Sequence, residues 1–350
     1  MCKKWILLAG LLLSGMAWGA VGAADPAGGD VVAPALPSPD KLIETLRARF
    51  TPAKPTVRLE YEVSYRLLGL ELISLAEAVI EATEGLWAGP DGQLRPVCYI
   101  EFDVASRRDQ PDAARRGRFE IRNRMVSVVT MPDLETLVYF KSADEYLKPP
   151  FMSPRIYRNA HRYDLQHDPL EFWSADYTTG KVETELAGAL DLASQGREVA
   201  NVLRLMTSIY EGAAPHLTPR CDFRLQVSID RQATPFAATT VRETAPNSLL
   251  GERWLALRVD LEPAREARRI QRRRFTLWAT PLAKLAERID DPLLDEIVAD
   301  APTWSMAPLT GIYGLSLGYL HCSLAKVSLA DRRVPNHADR AAGHIGPKRL

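Results

Sequence analysis

The feature that most constrains the fold of this chain is an alternation of apolar and polar residues that begins at Val57. Over residues 57–67, valine, leucine and tyrosine side chains alternate with arginine, glutamate and serine. Successive side chains of a β-strand point to opposite faces of the sheet, so this period of two predicts a strand with one buried face. The same alternation returns at residues 118–130 and, most regularly, at residues 222–230.

Extended runs separated by short turns recur along most of the chain. Gly69 and residues 89–92 supply two of the turns. Short turns favour antiparallel neighbours, because parallel strands need long crossover connections. The predicted fold is therefore mainly β: a large antiparallel curled sheet or an incomplete β-barrel. Further strands are predicted at residues 70–83, 97–105, 136–142, 155–166, 171–178, 236–244, 254–261 and 270–279, with the last strands between residues 304 and 328.

Three helical segments accompany the strands. Ser38 followed by Pro39 is a typical helix start, with a capping side chain and then proline at the first helical position. An amphipathic helix is predicted after Ser194, and its apolar stripe is expected to pack on the open face of the sheet. A C-terminal helical insert, interrupted at Pro292, is predicted to begin at Thr280. The first helix has an apolar face formed by Leu42, Ile43, Leu46 and Phe50.

The first 24 residues have the three parts of a signal peptide. Lys3 and Lys4 form a positive region, residues 5–17 are uncharged and apolar, and small residues at 21–24 suit cleavage. The apolar run is shorter than the roughly 20 residues that a transmembrane helix needs. A retained anchor is the alternative interpretation. The expected product is a soluble periplasmic protein with no transmembrane span after cleavage.

The chain then divides into three parts. Residues 25–37 are rich in alanine, glycine and proline and predict a flexible linker. Residues 38–330 are expected to form a single β-rich domain, and residues 331–350 a disordered tail. Between residues 25 and 330 there are 37 basic and 42 acidic side chains. A net negative body argues against nucleic-acid binding, which requires a basic surface.

A dense run of arginines departs from this charge balance. Six arginines lie between residues 265 and 274, and four of them are candidates for contact with an anionic partner: Arg268, Arg269, Arg272 and Arg274. Guanidinium groups donate paired hydrogen bonds to phosphate and carboxylate groups. The partner would be a lipid head group, an anionic glycan or an acidic protein face, and a solvated hairpin end is the structural alternative.

No residue pattern rises to a catalytic set, a metal site or a cofactor site. Gly314 to Gly318 fits the G-x-S-x-G pattern around Ser316, but an extended apolar run follows it where a hydrolase has a helix. His321 and Cys322 are adjacent, so on a strand their side chains point to opposite faces. His161 and His167 are six residues apart, about 20 Å on a strand, which is too far to share a metal ion.

Three cysteines remain after cleavage: Cys98, Cys221 and Cys322. An oxidising compartment permits a disulfide, and an odd number leaves at least one cysteine outside any internal pair. The spacing does not determine which two would pair. Small buried apolar side chains are the alternative role for all three.

Aromatic residues on the predicted strands suggest a ligand-binding role. Curled sheets often enclose an apolar cavity, and the candidate lining residues are Tyr61, Tyr65, Tyr99, Trp173 and Trp278. The leading hypothesis is a non-enzymatic protein that binds an apolar or amphipathic, lipid-like ligand. The first alternative is an envelope interaction or assembly protein whose sheet is filled by its own side chains, and the second is a hydrolase that uses Ser316.

Four short motifs lie at intervals between residues 57 and 328. They are Tyr61-Glu62-Val63-Ser64-Tyr65 before Gly69, Val202-Leu203-Arg204-Leu205-Met206, Glu243-Thr244-Ala245-Pro246 before Leu257-Arg258-Val259, and Phe275-Thr276-Leu277-Trp278. Together they resemble the exported family called domain of unknown function 3108. The chain departs from that family at Thr280, where the family continues with an acidic turn and a proline-containing strand. The resemblance implies a periplasmic β-rich fold with no established activity.

Export gives the first testable prediction. The mature protein is expected to begin between Val21 and Asp25 and to fractionate with soluble periplasmic proteins, because the small residues there suit signal peptidase. N-terminal sequencing of the protein expressed with its full leader checks this expectation. A mature chain that still begins at Met1 or Cys2 would contradict it.

Overall fold

The computed structural model describes residues 36–106, 119–131, 136–147, 155–167, 171–184, 220–229, 232–246, 255–263, 275–281, 306–314 and 319–330. This part of the chain forms one helix and fifteen strands. They are α1 (Pro39–Arg47), β1 (Phe50–Pro52), β2 (Thr56–Leu67), β3 (Leu70–Ala88), β4 (Leu94–Ser106), β5 (Phe119–Thr130), β6 (Thr136–Leu147), β7 (Arg155–Asp164), β8 (Glu171–Asp176), β9 (Lys181–Glu183), β10 (Arg220–Ile229), β11 (Gln232–Thr244), β12 (Leu255–Pro263), β13 (Phe275–Pro281), β14 (Met306–Gly314) and β15 (Tyr319–Ala330).

All fifteen strands belong to one antiparallel sheet that does not close on itself. Its order is β10-β11-β12-β13-β14-β15-β2-β3-β4-β5-β6-β7-β8-β9, with β1 paired to β3 beside β2. Along this path each strand pairs with its neighbour in sequence, except that β15 pairs with β2. The predicted mainly β fold, a large antiparallel curled sheet or incomplete barrel, is confirmed.

Two separate hydrophobic clusters pack on the sheet. Cross-strand partners point to the same face, so the face that bears Tyr61 can be followed strand by strand through Ala78, Val104 and Asn123 to Ala143. We call this face the inner face and the opposite one the outer face. Apolar residues on the inner face extend over strands from β2 to β8 and from β12 to β15.

The outer core forms where α1 and β1 cover the sheet. Ser38 caps the helix by accepting a hydrogen bond from the Lys41 amide at 3.2 Å, and Pro39 follows as its first residue. This confirms the predicted helix start. The buried side chains of Ile43 and Leu46 then pack on the outer side of strands β3 to β7. Two ion pairs fix the helix to the sheet, Asp40 with Arg124 and Arg47 with Glu101.

Strand β1 approaches β3 so closely that only glycine fits at position 85. A Cβ atom on Gly85 would lie 2.2 Å from the Thr51 carbonyl oxygen and 2.6 Å from the Phe50 ring. The Phe50 ring in turn stacks on Tyr99 of β4 at a centroid distance of 4.9 Å. The absence of a side chain at residue 85 therefore lets the chain after α1 lie against the sheet.

Several sequence predictions need correction or lie outside the described residues. Thr280 and Pro281 belong to β13 and pair with Ala307 and Met306 of β14, so they do not begin a helical insert. The remainder of that predicted insert, the helix predicted after Ser194, the leader and the tail lie outside the described residues. Strands β1 and β9, each three residues long, were not predicted because so short a run shows no period. Within the described part of the chain, no helix is long and apolar enough to cross a membrane.

The close approach at residue 85 gives a stability prediction. Gly85→Ala should destabilise the protein by roughly 1–3 kcal/mol, because the new methyl group forces β1 and Phe50 away from the sheet. Urea unfolding of the wild type and the variant measures the change. Glu77→Ala, at an exposed position of the same strand, serves as the control and should stay within about 0.5 kcal/mol of the wild type. Equal stability of the Gly85 variant and the wild type would contradict the described packing of β1.

Candidate functional site

The five aromatic residues predicted to line a ligand cavity do not share one face of the sheet. Tyr61 and Tyr65 pair with Leu324 and Leu320 and lie on the inner face, where both are buried. Tyr99 precedes the inner-face residue Ile100 and Trp173 follows the inner-face residue Phe172, so both point outward. Trp278 pairs with Thr310 and Arg258 and also lies on the outer face. One cavity therefore cannot contain all five side chains.

The three outward aromatic residues have structural partners. Tyr99 stacks on Phe50, and its hydroxyl donates to Glu101 Oε1 at 3.1 Å, the same carboxylate that holds Arg47 of α1. The half-buried Trp173 packs against the outer core. These two residues help to attach the N-terminal segment.

Trp278 belongs to a polar network on β11 to β13. Its indole nitrogen donates to Glu243 Oε1 at 2.8 Å, and the guanidinium of Arg258 lies 5.6 Å from the centre of its ring. Arg258 also pairs with Glu243 and Asp260. The tryptophan is thus held in place by neighbouring strands, which accounts for its burial without a ligand.

A second group of aromatic residues lies together on the inner face of β6 to β8. The ring centroids of Tyr139 and Tyr163 are 6.0 Å apart, and those of Tyr163 and Phe172 are 5.1 Å apart. The imidazole of His161 is 6.0 Å from Tyr139 and 5.7 Å from Tyr163. These four rings form a continuous patch, which we call the aromatic wall.

Buried polar side chains adjoin the aromatic wall on the same face. Among them are Asn123 on β5 and Lys141 and Glu145 on β6, all buried. The Asn123 side-chain amide donates to Glu145 Oε1 at 2.7 Å. Lys141 lies directly opposite His161 in the β6–β7 ladder. We call Asn123, Lys141 and Glu145 the inner polar group. It places a carboxyl, an amide and an amine in a face that is otherwise largely apolar.

Burial controls the ionisation of Glu145. The residue is 1% exposed, and removal from water raises the pKa of its carboxyl from 4.5 to about 7, although the Asn123 hydrogen bond and the Lys141 charge act in the opposite direction. Near neutral pH the group therefore exists in both forms, as a hydrogen-bond donor when protonated and as an acceptor when ionised.

The Asn123 side chain has an unused acceptor. Its Oδ1 atom is buried and accepts no hydrogen bond, and an unsatisfied buried polar atom costs free energy. Sequence reasoning missed this residue because it lies between two charged residues, Arg122 and Arg124. The usable signal was its position, since Asn123 occupies the apolar face of β5 between Ile121 and Met125.

A different polar group forms at the end of the β7–β8 hairpin. One ligand atom each from Asp164, His167 and Glu171 lie within 4.8 Å of one another. Asp164 Oδ1 already accepts hydrogen bonds from the Gln166 amide groups, and Arg162 pairs with Glu171 at 3.3 Å. Hydrogen bonds and ion pairs explain this cluster, so we do not assign a metal site to it. His161, on the aromatic wall, is not part of it.

The other candidate residues fall into two classes. His321 and Cys322 point to opposite faces, as predicted, and burial raises the pKa of the Cys322 thiol and lowers that of His321 to about 4. Cys98 and Cys322 are buried free thiols, so they do not pair with each other. Ser316 and the arginines at positions 268, 269, 272 and 274 lie outside the described residues, and the side chain of Cys221 is not described.

The chain is similar to solved structures at low sequence identity. No family model and no curated protein matches the chain, so membership of the domain of unknown function 3108 family stays a prediction. A β-barrel-like protein of domain of unknown function DUF1849 from Brucella abortus is similar over 80% of this chain and 100% of its own, with 8% identity and a TM-score of 0.38. A DUF1329 family protein from Desulfovibrio piger ATCC 29098 is similar over 82% of this chain and 90% of its own, with 8% identity and a TM-score of 0.19.

The pKa of Glu145 gives a prediction about stability and pH. The unfolded chain releases this proton near pH 4.5 and the folded chain near pH 7. Between these values the folded state binds the extra proton, so the free energy of unfolding should fall as pH rises, by a total on the order of 3 kcal/mol. Glu145→Gln should lack this part of the decline, because its side chain does not titrate.

Urea unfolding at a series of pH values across that window measures the effect. Glu120→Gln, at an exposed position of β5, should show the same decline as the wild type. A Glu145→Gln variant with an unaltered decline would show that Glu145 ionises normally in the folded protein.

Proposed function

We propose that the protein is an exported, non-catalytic binding protein that holds a small amphipathic ligand against the inner face of its sheet. The apolar part of the ligand contacts the aromatic wall and the inward tyrosines Tyr61 and Tyr65. Its polar end contacts the inner polar group. The proposal rests chiefly on Asn123, whose buried Oδ1 lacks a hydrogen-bond donor.

Polar groups buried in an apolar surface favour this function over simple core filling. Ligand sites are largely apolar and contain a few polar groups that fix the orientation of the ligand. A sheet filled by its own side chains is more stable when such positions are apolar, because a buried polar atom without a partner costs roughly 1–3 kcal/mol. A ligand that donates a hydrogen bond to Asn123 Oδ1 removes that cost.

The chemistry of the inner polar group indicates the class of the polar end. Asn123 Oδ1 requires a donor such as a hydroxyl, an amide or an ammonium group. Glu145 can accept a hydrogen bond when ionised, or donate one when protonated, and its pKa of about 7 makes both forms accessible. A hydroxyl group that both donates and accepts fits both residues, so a lipid-like alcohol or a glycerol ester is the ligand class that we propose.

The alternative function is an envelope interaction or assembly protein. The arginine run at residues 265–274 is the feature that favours it, as an anionic partner would bind there. In that case the inner face needs no ligand, and a partner protein should accompany the purified chain.

Mass analysis of the purified protein distinguishes the two functions. We expect the wild type to retain an apolar ligand that native mass spectrometry detects as an adduct and organic extraction releases. The double variant Asn123→Leu/Glu145→Met should retain at least tenfold less ligand, because both polar contacts of the head group are lost. It should remain folded, since replacing both members of a buried hydrogen-bonded pair by apolar residues of similar size is nearly neutral or stabilising.

The control replaces a buried residue on the opposite face of the same strand. Ser142→Ala, at a buried outer position of β6, should retain the wild-type amount of ligand. A clean wild-type mass with a co-purifying protein would reject the binding function and favour the alternative. Equal retention by the wild type and the double variant would show that the inner polar group does not bind the ligand.

A further inference from the structure

The turn between β2 and β3 combines two features that normally exclude each other. Leu67 pairs with Leu70, so Leu68 and Gly69 form a two-residue turn. Leu68 has φ of 52° and Gly69 φ of 84°, which are the left-handed angles of a type I′ turn. Asparagine followed by glycine is preferred in such turns, and a bulky side chain at positive φ is strained. Among the described residues, Leu68 is the only one other than glycine that has a positive φ.

The strained leucine is also the most exposed large apolar residue that the structure describes. Leu68 is 92% exposed, and its neighbours Leu70 and Leu72 are 69% and 49% exposed. A leucine here is unfavourable twice, through its backbone angle and through its contact with water. We propose that these three residues, the leucine tip, insert into the surface of a lipid bilayer. This proposal is independent of the ligand function of the inner face.

The position of the leucine tip suits insertion. The tip is the turn of the β2–β3 hairpin, and the last described pair between β2 and β15 is Arg66 with Tyr319, two residues before Leu68. Leu70 and Leu72 are about 7 Å apart along the strand. Apolar side chains of proteins bound at a membrane interface reach about 5–10 Å into the boundary of the head groups and acyl chains, which matches the length of the tip.

Charge and area favour a bilayer over a protein partner. The charges next to the tip, Arg66 and Glu71, neutralise each other in an ion pair of 3.3 Å. An uncharged tip is compatible with a zwitterionic lipid surface, and its binding should not depend on salt. Three leucines provide far less than the roughly 800 Å² per partner that a stable protein interface buries, whereas transfer into lipid is favourable for each apolar side chain separately.

Vesicle flotation with the full-length mature protein tests the proposal. The wild type should float with phosphatidylcholine vesicles at low and high salt. Leu68→Asn restores the preferred Asn-Gly turn and removes the apolar side chain. It should therefore lower the partition onto vesicles about tenfold while raising the Tm by roughly 2–4 °C. A purely structural role for Leu68 does not predict opposite changes in binding and stability.

The matched control is another exposed leucine in a hairpin. Leu94 is 61% exposed and begins β4 opposite Ala88, at the end of β3 that is farthest from the tip. Leu94→Asn should leave vesicle binding unchanged. Three results would overturn the proposal: no flotation of the wild type, equal flotation of wild type and Leu68→Asn, or loss of self-association in Leu68→Asn without any vesicle binding by the wild type.

Discussion

The pairing of β15 with β2 is the contact on which the rest of the architecture depends. It runs from Thr56 opposite Ala330 to Arg66 opposite Tyr319, and it joins the two halves of the sheet. The other ladders of the sheet path connect strands that follow each other in the chain. Without this one long-range ladder, β2–β9 and β10–β15 would be two separate meanders. The inner core includes residues from both halves, so the complete core requires this ladder.

The N-terminal segment, α1 and β1, covers the outer face of the sheet and leaves the inner face uncovered by that segment. Where α1 and β1 pack on the outer side, strands β4 to β6 are buried on both faces. The outer core is fixed by ion pairs and aromatic stacking, and Gly85 makes room for it. The inner face beneath the same strands carries Asn123, Lys141 and Glu145. A rigid outer layer therefore supports the strands whose inner side chains carry the proposed binding function, which keeps the polar group in a fixed arrangement.

The sequence predicted the strands well because alternation is a direct consequence of strand geometry. It predicted β2 to within one residue, and the capped start of α1 followed from Ser38 and Pro39. Face assignment was less reliable in the central strands. Residues 97–102 are buried on both sides, so hydrophobicity does not alternate there and cannot show that Tyr99 points outward. Trp278 was assigned to the cavity because it is an aromatic residue on a predicted strand. Leu277 beside it is also buried, so hydrophobicity does not show which of the two points inward. The inner polar group depends on register between β5 and β6, which no local pattern reveals.

β9 is the last strand at one end of the described sheet, and its shortness affects how the protein behaves at high concentration. β9 has three residues, and Lys181 and Glu183 at its ends form an ion pair of 2.7 Å. An open sheet usually risks aggregation, because an unpaired edge can add a strand from another molecule. A strand this short offers few free backbone groups, and its charged ends disfavour close approach of a second copy. Among the described strands, this end of the sheet thus offers a second copy few backbone groups to pair with.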